Sequence, residues 1–312
     1  MLSRVADRIF WLSRHVERAE NMARVLGVTS NLVLYGSRET QEQSLLAPLS
    51  STGMVDAYFA RHRKLDLVNL IRFFALDERN PSSIYSLLKQ ARENAHEVRW
   101  QITSEMWETL NTTWLELRAA RPARVTGAGA NDFFEWVKRR SHLFRGVTYG
   151  TILRGEAFNF SRLGTFLERA DNTVRILDTK YYILLPRVED VGGALDYYQW
   201  AALLRSVSSL ESYHALYHDQ IYPIKVAQLL ILERRMPRSL AACFEQIGQA
   251  MERIQGQHDH AAKRLAAEIA ARLTYSNIDE IFETGVHEYV DACLADINEL
   301  TLRIQRAYLG AV

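Results

Sequence analysis

The stretch ERAENMARVL, Glu17–Leu26, returns far downstream as ERADNTVRIL, Glu168–Leu177. Its Glu, Arg, Ala, Asn, Arg and closing Leu recur, whereas apolar positions drift, Ala23 against Val174 and Val25 against Ile176. Upstream, Leu2, Val5, Ile9, Leu12, Val16, Ala19, Ala23 and Leu26 alternate steps of three and four, one stripe of a long helix that begins close to Met1. Glu17, Asn21 and Arg24 then share another face of that helix over about 10 Å of axis, and Glu168, Asn172 and Arg175 repeat the arrangement. A solvated face drifts more readily than a core, so a polar face that recurs predicts groups that meet protein or ligand. One reading is a buried reciprocal network, Glu17 on Arg175 and Glu168 on Arg24 across a pseudo-twofold axis. A second is a functional polar cleft. The third is a plain surface carrying the pairs Glu20–Arg24 and Asp171–Arg175, each worth only about 0.2–0.5 kcal/mol.

The duplication extends further. VNLIRFFALDERNPSSI, Val68–Ile84, aligns with IKVAQLLILERRMPRSL, Ile224–Leu240, at nearly the same shift, matching Leu76 with Leu232, Arg79 with Arg235, Pro81 with Pro237 and Ser83 with Ser239. In both, the proline follows a charged turn and opens a new helix, where its fixed φ suits the first helical position. Helical periodicity also covers Leu65–Leu76, Ile84–Leu110, Phe133–Phe144, Ile152–Leu185, Tyr198–Leu210, Ile224–Glu233, Leu240–Leu273 and Ile278–Tyr308. With six prolines and no β-branched runs between turn residues, strands have little support. The expectation is an all-α, internally duplicated bundle: a first repeat over 1–118, a linker over 119–131, and a second repeat with an extra leading helix over 132–312. The helices of Glu17 and Glu168 should be central. The linker lies in RAARPARVTGAGAND; its GAGAND lacks a preceding strand and the third glycine of a phosphate-binding loop.

Composition excludes several classes. The 312 residues suit about two domains, and 38 Lys plus Arg against 37 Asp plus Glu leaves no bulk charge to collect nucleic acid or anionic lipid. Cys243 and Cys293 are too few for a disulfide framework or a four-ligand zinc site. Arg4, Asp7, Arg8 and Arg14 interrupt the first helix, which therefore lacks a signal-peptide core, and no apolar run of about 18 residues could span a bilayer. These features predict a cytoplasmic protein with no membrane segment and no cofactor.

MLSRVADRIFWLSRHVERAENMARVL, ARENAHEVRWQITSEMWETLN at Ala91–Asn111 and HLFRGVTYGTILRGEAFNFSRLGTFLERADNTVRILDTKY at His142–Tyr181 together resemble the bacterial alpha-E family. That family is all-helical, with characteristic glutamates, and its members are typically encoded beside, or fused to, circularly permuted ATP-grasp proteins, often with transglutaminase-like proteins nearby. The resemblance implies a non-catalytic partner or a protein substrate of an ATP-grasp amide ligase. Positions matching its motifs are Glu17, Arg18, Asn21, Arg24, Arg99, Ser104, Glu105, Trp107, Arg145, Arg154, Glu168, Arg169, Asn172 and Arg175. These are the binding or modification candidates, with Glu17 and Glu168 leading because an arginine fork can fix a carboxylate.

Rival chemistries are weaker. Glu93–His96 and Glu211–His214 have the spacing of ferritin-like di-iron ligands, but the second copy places Gln249 and Glu252 opposite the first pair. Ser104 adjoins Glu105, and neighbours in sequence diverge on a helix, so a helix-capping or packing serine is favoured over a nucleophile. Trp100, Trp107 and Trp114 form a stripe suited to core or interface. Lys138, Arg139, Arg140, His142 and Arg145 read as a solvated basic face. A purely structural, self-associating helical protein is the remaining alternative.

Overall fold

The structure is a computed structural model that describes residues 1–35, 38–182, 193–254 and 260–310. All its regular elements are helices: α1 (Ser3–Tyr35), α2 (Arg38–Thr52), α3 (Val55–Phe59), α4 (Leu67–Ala75), α5 (Ile84–Glu97), α6 (Ser104–Ala119), α7 (Pro122–Thr126), α8 (Ala130–Thr151), α9 (Glu156–Tyr182), α10 (Ala194–Ser206), α11 (Leu210–Tyr217), α12 (Pro223–Ile231), α13 (Leu240–Arg253), α14 (His260–Tyr275), α15 (Ile278–Thr284) and α16 (Val286–Tyr308). No strand occurs among the described residues.

Capping divides what periodicity alone joins. The helix expected over Ile84–Leu110 breaks after α5 because Thr103 is extended and its Oγ1 accepts from Met106 N, opening α6. Gly285, at φ 106°, separates α15 from α16 in a conformation that L side chains rarely adopt. The expected linker carries the short α7, with Val125 buried, and then the start of α8. Residues 183–185, the end of one expected helix, and 255–259, inside another, lie outside the described residues.

Local geometries recur in the aligned stretches. Ser83 and Ser239 cap α5 and α13 by accepting from Ser86 N and Ala242 N. Asp77 and Glu233 accept from the backbone N of Arg79 and Arg235. Tyr58 and Tyr213, both wholly buried, donate to the carbonyls of Lys64 and Gln220 at 2.9 and 2.8 Å.

Helix α1 runs through the centre. Its stripe from Val5 to Leu26 is buried, and so are Phe10, Ser13, Glu17, Glu20 and Asn21 elsewhere on its circumference. The first half joins a core with α9, α13 and α16; the second joins another with α2, α4, α5 and the beginning of α8. The backbones of α1 and α9 come unusually close. Ser13 Oγ lies 2.8 Å from Ser161 Oγ, and a Cβ on Gly164 would stand 2.2 Å from the Phe10 carbonyl oxygen. Small residues at this crossing set both the separation and the register of the two helices. No described helix is long and apolar enough to cross a membrane.

Because the Phe10 carbonyl cannot move without shifting α1, Gly164→Ala should destabilise the fold by about 1–3 kcal/mol. Gly248 in α13 faces open space, so Gly248→Ala should be neutral or stabilising by up to about 1 kcal/mol. Urea unfolding of the two variants reads the contrast.

Candidate functional site

The crossing of α1 and α9 holds a polar centre. Arg169 grips Glu17 with Nε at 2.9 Å and Nη2 at 3.1 Å. Arg18 grips Glu168 with Nε at 2.5 Å and Nη2 at 2.8 Å. Each Glu-Arg dipeptide thus exchanges partners with the other, although the four residues belong to distant parts of the chain. This replaces the expected Glu17–Arg175 and Glu168–Arg24 pairs. Arg24 and Arg175 turn back within their own helices to Glu20 and Asp171, because one helical turn is a shorter reach than the crossing.

Further groups close the network. Arg145 of α8 donates to Glu17 at 2.7 Å and also to Glu20. Arg238, from the turn before α13, reaches Glu17 at 3.2 Å, Glu20 at 2.8 Å and Asn21 Oδ1 at 3.0 Å. Ser141 donates to Glu20 at 2.7 Å, and Arg14 to Glu168 at 2.9 Å. Glu17, Glu20 and Glu168 are at most 2 % exposed. An ionised carboxylate is tolerated at such depth only when charge-assisted hydrogen bonds replace its water.

The electrostatics follow from that enclosure. Burial raises the Glu168 carboxyl, but Arg18 and Arg14 outweigh it and hold it near 2. Burial likewise opposes ionisation of Glu17 and Glu20, and their arginines, with His142 beside Glu20, keep both below the ordinary range. Arg238 is lowered to about 10 by burial, and burial pushes the neighbouring Cys243 thiol up to about 12. At neutral pH these groups each keep a single protonation state. The centre is a set of fixed charges, suited to structure and recognition and poorly suited to moving protons.

Other sequence candidates fall elsewhere. Arg99 lies in the turn after α5 with its guanidinium 5.3 Å from the Trp107 ring, and Arg92 covers the same ring. Ser104 and Glu105 are exposed in the first turn of α6. Arg154 stacks on Tyr149 and Phe158 at 4.0 and 4.3 Å. Arg14, Glu20, Ser141 and Arg238 belong to the centre without matching the motif positions. Arg238 had a signal: the alignment of Pro81 with Pro237 sets Ser82 opposite it.

Beside the network is a cavity of about 220 Å³, walled by Arg14, Arg18, Asn21, Glu168, Asn172 and Arg175, with Ser82 also on its boundary. It adjoins an apolar cavity of about 90 Å³, and Val25, Pro48, Ser51 and Ile176 border both. Among the described residues, Asp178, His287 and Asp291 group closely enough to hold an ion, but they lie apart from this centre, and Asp291 is exposed.

Fold and centre together define a wholly helical protein organised around buried, fixed ion pairs. The chain belongs to the Alpha-E family, described as a predicted alpha-helical domain with a conserved ER motif, whose family model matches residues 1–309. No curated protein and no solved structure matches it. Two of this chain's Glu-Arg dipeptides are the ones that exchange partners at the centre.

Glu17→Gln should destabilise the protein by roughly 3–5 kcal/mol, since it leaves Arg169 and Arg145 facing a neutral amide in the interior. Glu168 has a folded value below its ordinary 4.5, so its contribution is complete above about pH 4.5 and is lost as pH falls through about 2. Chemical denaturation from pH 6 to 2 should show wild-type stability falling with acid, and a shallower fall in Glu168→Gln.

Proposed function

We propose that this chain is a non-catalytic helical partner of an ATP-grasp-type amide ligase, acting in the cytoplasm and presenting the cleft between α1 and α9. The observation that carries the non-catalytic reading is the enclosure of the central carboxylates: Glu17, Glu20 and Glu168 are buried, and each accepts from two or more arginines, which favour the ionised form. Amide formation by such ligases activates a carboxylate, normally as an acyl phosphate, and that chemistry would belong to the ligase. The chain is a member of the Alpha-E family, and the neighbourhood that the resemblance implies, an ATP-grasp protein with a transglutaminase-like protein as a further candidate associate, is what supports this reading.

Enclosure favours a partner over a substrate at the leading glutamates. Glu17 and Glu168 are 1 % and 2 % exposed, and each accepts from at least two guanidiniums. A ligase could reach either carboxylate only after α1 and α9 separate, so docking by the folded surface is favoured over acylation of these side chains. We also infer that the chain is a tandem of two related helical units. The recurring serine caps, buried tyrosines and exchanged Glu-Arg pairs support that reading, and the two units meet at the α1–α9 crossing.

Co-expression with an ATP-grasp ligase of the kind that the resemblance places beside such chains should give a complex on size-exclusion chromatography, with the intact mass of this chain unchanged. A mass increase localised to this chain would convert the partner into a substrate. No complex and no mass change would defeat both.

A further inference from the structure

We propose that the cavity between α1, α9 and α2 is a binding site for a carboxylate carrying a short apolar group. This deepens the reading of the cleft as a recognition surface and does not depend on the identity of the ligase.

The first observation is a set of donors without acceptors. Asn21 is 3 % exposed; its Oδ1 takes Arg238, while its Nδ2 is buried and has no partner. Asn172 Nδ2, on the facing helix, is also buried and unpartnered. Both residues border the cavity. A buried donor left unsatisfied is costly, so two flanking one space make it a place for an acceptor.

The second observation is charge. Among the described residues lining the cavity, Arg14 and Arg18 both turn to the single carboxylate of Glu168, so guanidiniums outnumber carboxylates at that wall. Arg14 spends only Nε on Glu168, and Arg18 spends Nε and Nη2. The Nη groups of Arg14 and Nη1 of Arg18 make no hydrogen bond among the described residues. Such a wall of guanidinium and amide N–H groups matches the oxygens of an anion.

The third is the origin of the space. On the other side of the crossing Arg238 fills the equivalent volume and reaches Asn21, Glu17 and Glu20. The residue aligned with it is Ser82, a short side chain at the cavity wall. The network is therefore complete on one side and open on the other.

The apolar extension sets the rest of the ligand. Val25 and Ile176 pass from the polar cavity into the second one, whose lining is largely aliphatic and includes Ala47, Ala202 and Leu203. A carboxylate seated against Asn172 and the arginines would direct a short aliphatic or aromatic substituent there. An unsubstituted anion would leave that volume empty.

Calorimetric titration of the purified full chain with hexanoate, acetate, inorganic phosphate and hexylguanidine tests the assignment. Hexanoate should bind saturably and more tightly than acetate or phosphate, and hexylguanidine should give no heat. Asn172→Asp, which puts a negative charge at the same place, should weaken hexanoate about tenfold or more, with the melting curve reporting whether the variant folds. Ala47→Phe fills the apolar cavity and should weaken hexanoate while leaving acetate unchanged; it stands in should Asn172→Asp fail to fold. Phosphate binding without hexanoate binding, hexylguanidine binding, or hexanoate affinity unchanged in a folded variant would each overturn the proposal. These measurements use the chain alone, so their failure leaves ligase docking untouched, and a missing ligase complex leaves the cavity assignment standing.

Discussion

The exchange of Glu-Arg pairs between α1 and α9 is the constraint on which the rest of the molecule depends. Two long helices would ordinarily cross on apolar ridges, and here they cross on carboxylates that must be neutralised where water cannot reach. Each glutamate takes a forked guanidinium from the opposite helix, Arg169 for Glu17 and Arg18 for Glu168. Sliding one helix along the other, or rotating it by a residue, would strand both charges at once. Buried ion pairs contribute little net stability compared with well-packed apolar groups, but they penalise every wrong register heavily.

The surroundings are arranged to serve that demand. Gly164, Ser13 and Ser161 allow the backbones close enough for short, forked contacts. Helix α8 brings Arg145 and Ser141, and the turn before α13 brings Arg238. Thr173 ties that turn to α9 by donating to the Arg238 carbonyl at 2.8 Å. Excess positive charge is the consequence, since three carboxylates at the crossing recruit more guanidiniums than they neutralise. An interior of this kind suits recognition of an anion, because its charges are already oriented before any ligand arrives.

Much of the fold was legible in the residues. Alternating steps of three and four along α1 and the near absence of strand formers follow from helix geometry, which acts within a few residues; Pro81 and Pro237, expected at the first helical position, instead lie in the turns, and Ser83 and Ser239 cap the helices that follow. The breaks at Thr103 and Gly285 were harder to see, since apolar spacing carries straight across them and only the cap or the backbone angle interrupts the helix. Helix α2 was missed: its polar sequence contains Pro48 and lacks a clear apolar stripe. At the site, a recurring polar face on an otherwise drifting helix correctly pointed inward, and nine of the named positions lie in the network or on its cavity. Arg99, Ser104, Glu105, Trp107 and Arg154 instead lie outside that centre.

What the sequence by itself determined is therefore the helices and the burial of the charged face, both of which are set by periodicity and by which residues refuse to vary. Only the tertiary structure decided which charge meets which. The partner of Glu17 depends on how α9 is translated against α1, a quantity governed by the contact of Gly164 with the Phe10 carbonyl, and not by spacing along either helix. The arrival of Arg238 from a distant turn, and the space left where Ser82 stands in the aligned position, likewise exist only once the chain has closed on itself.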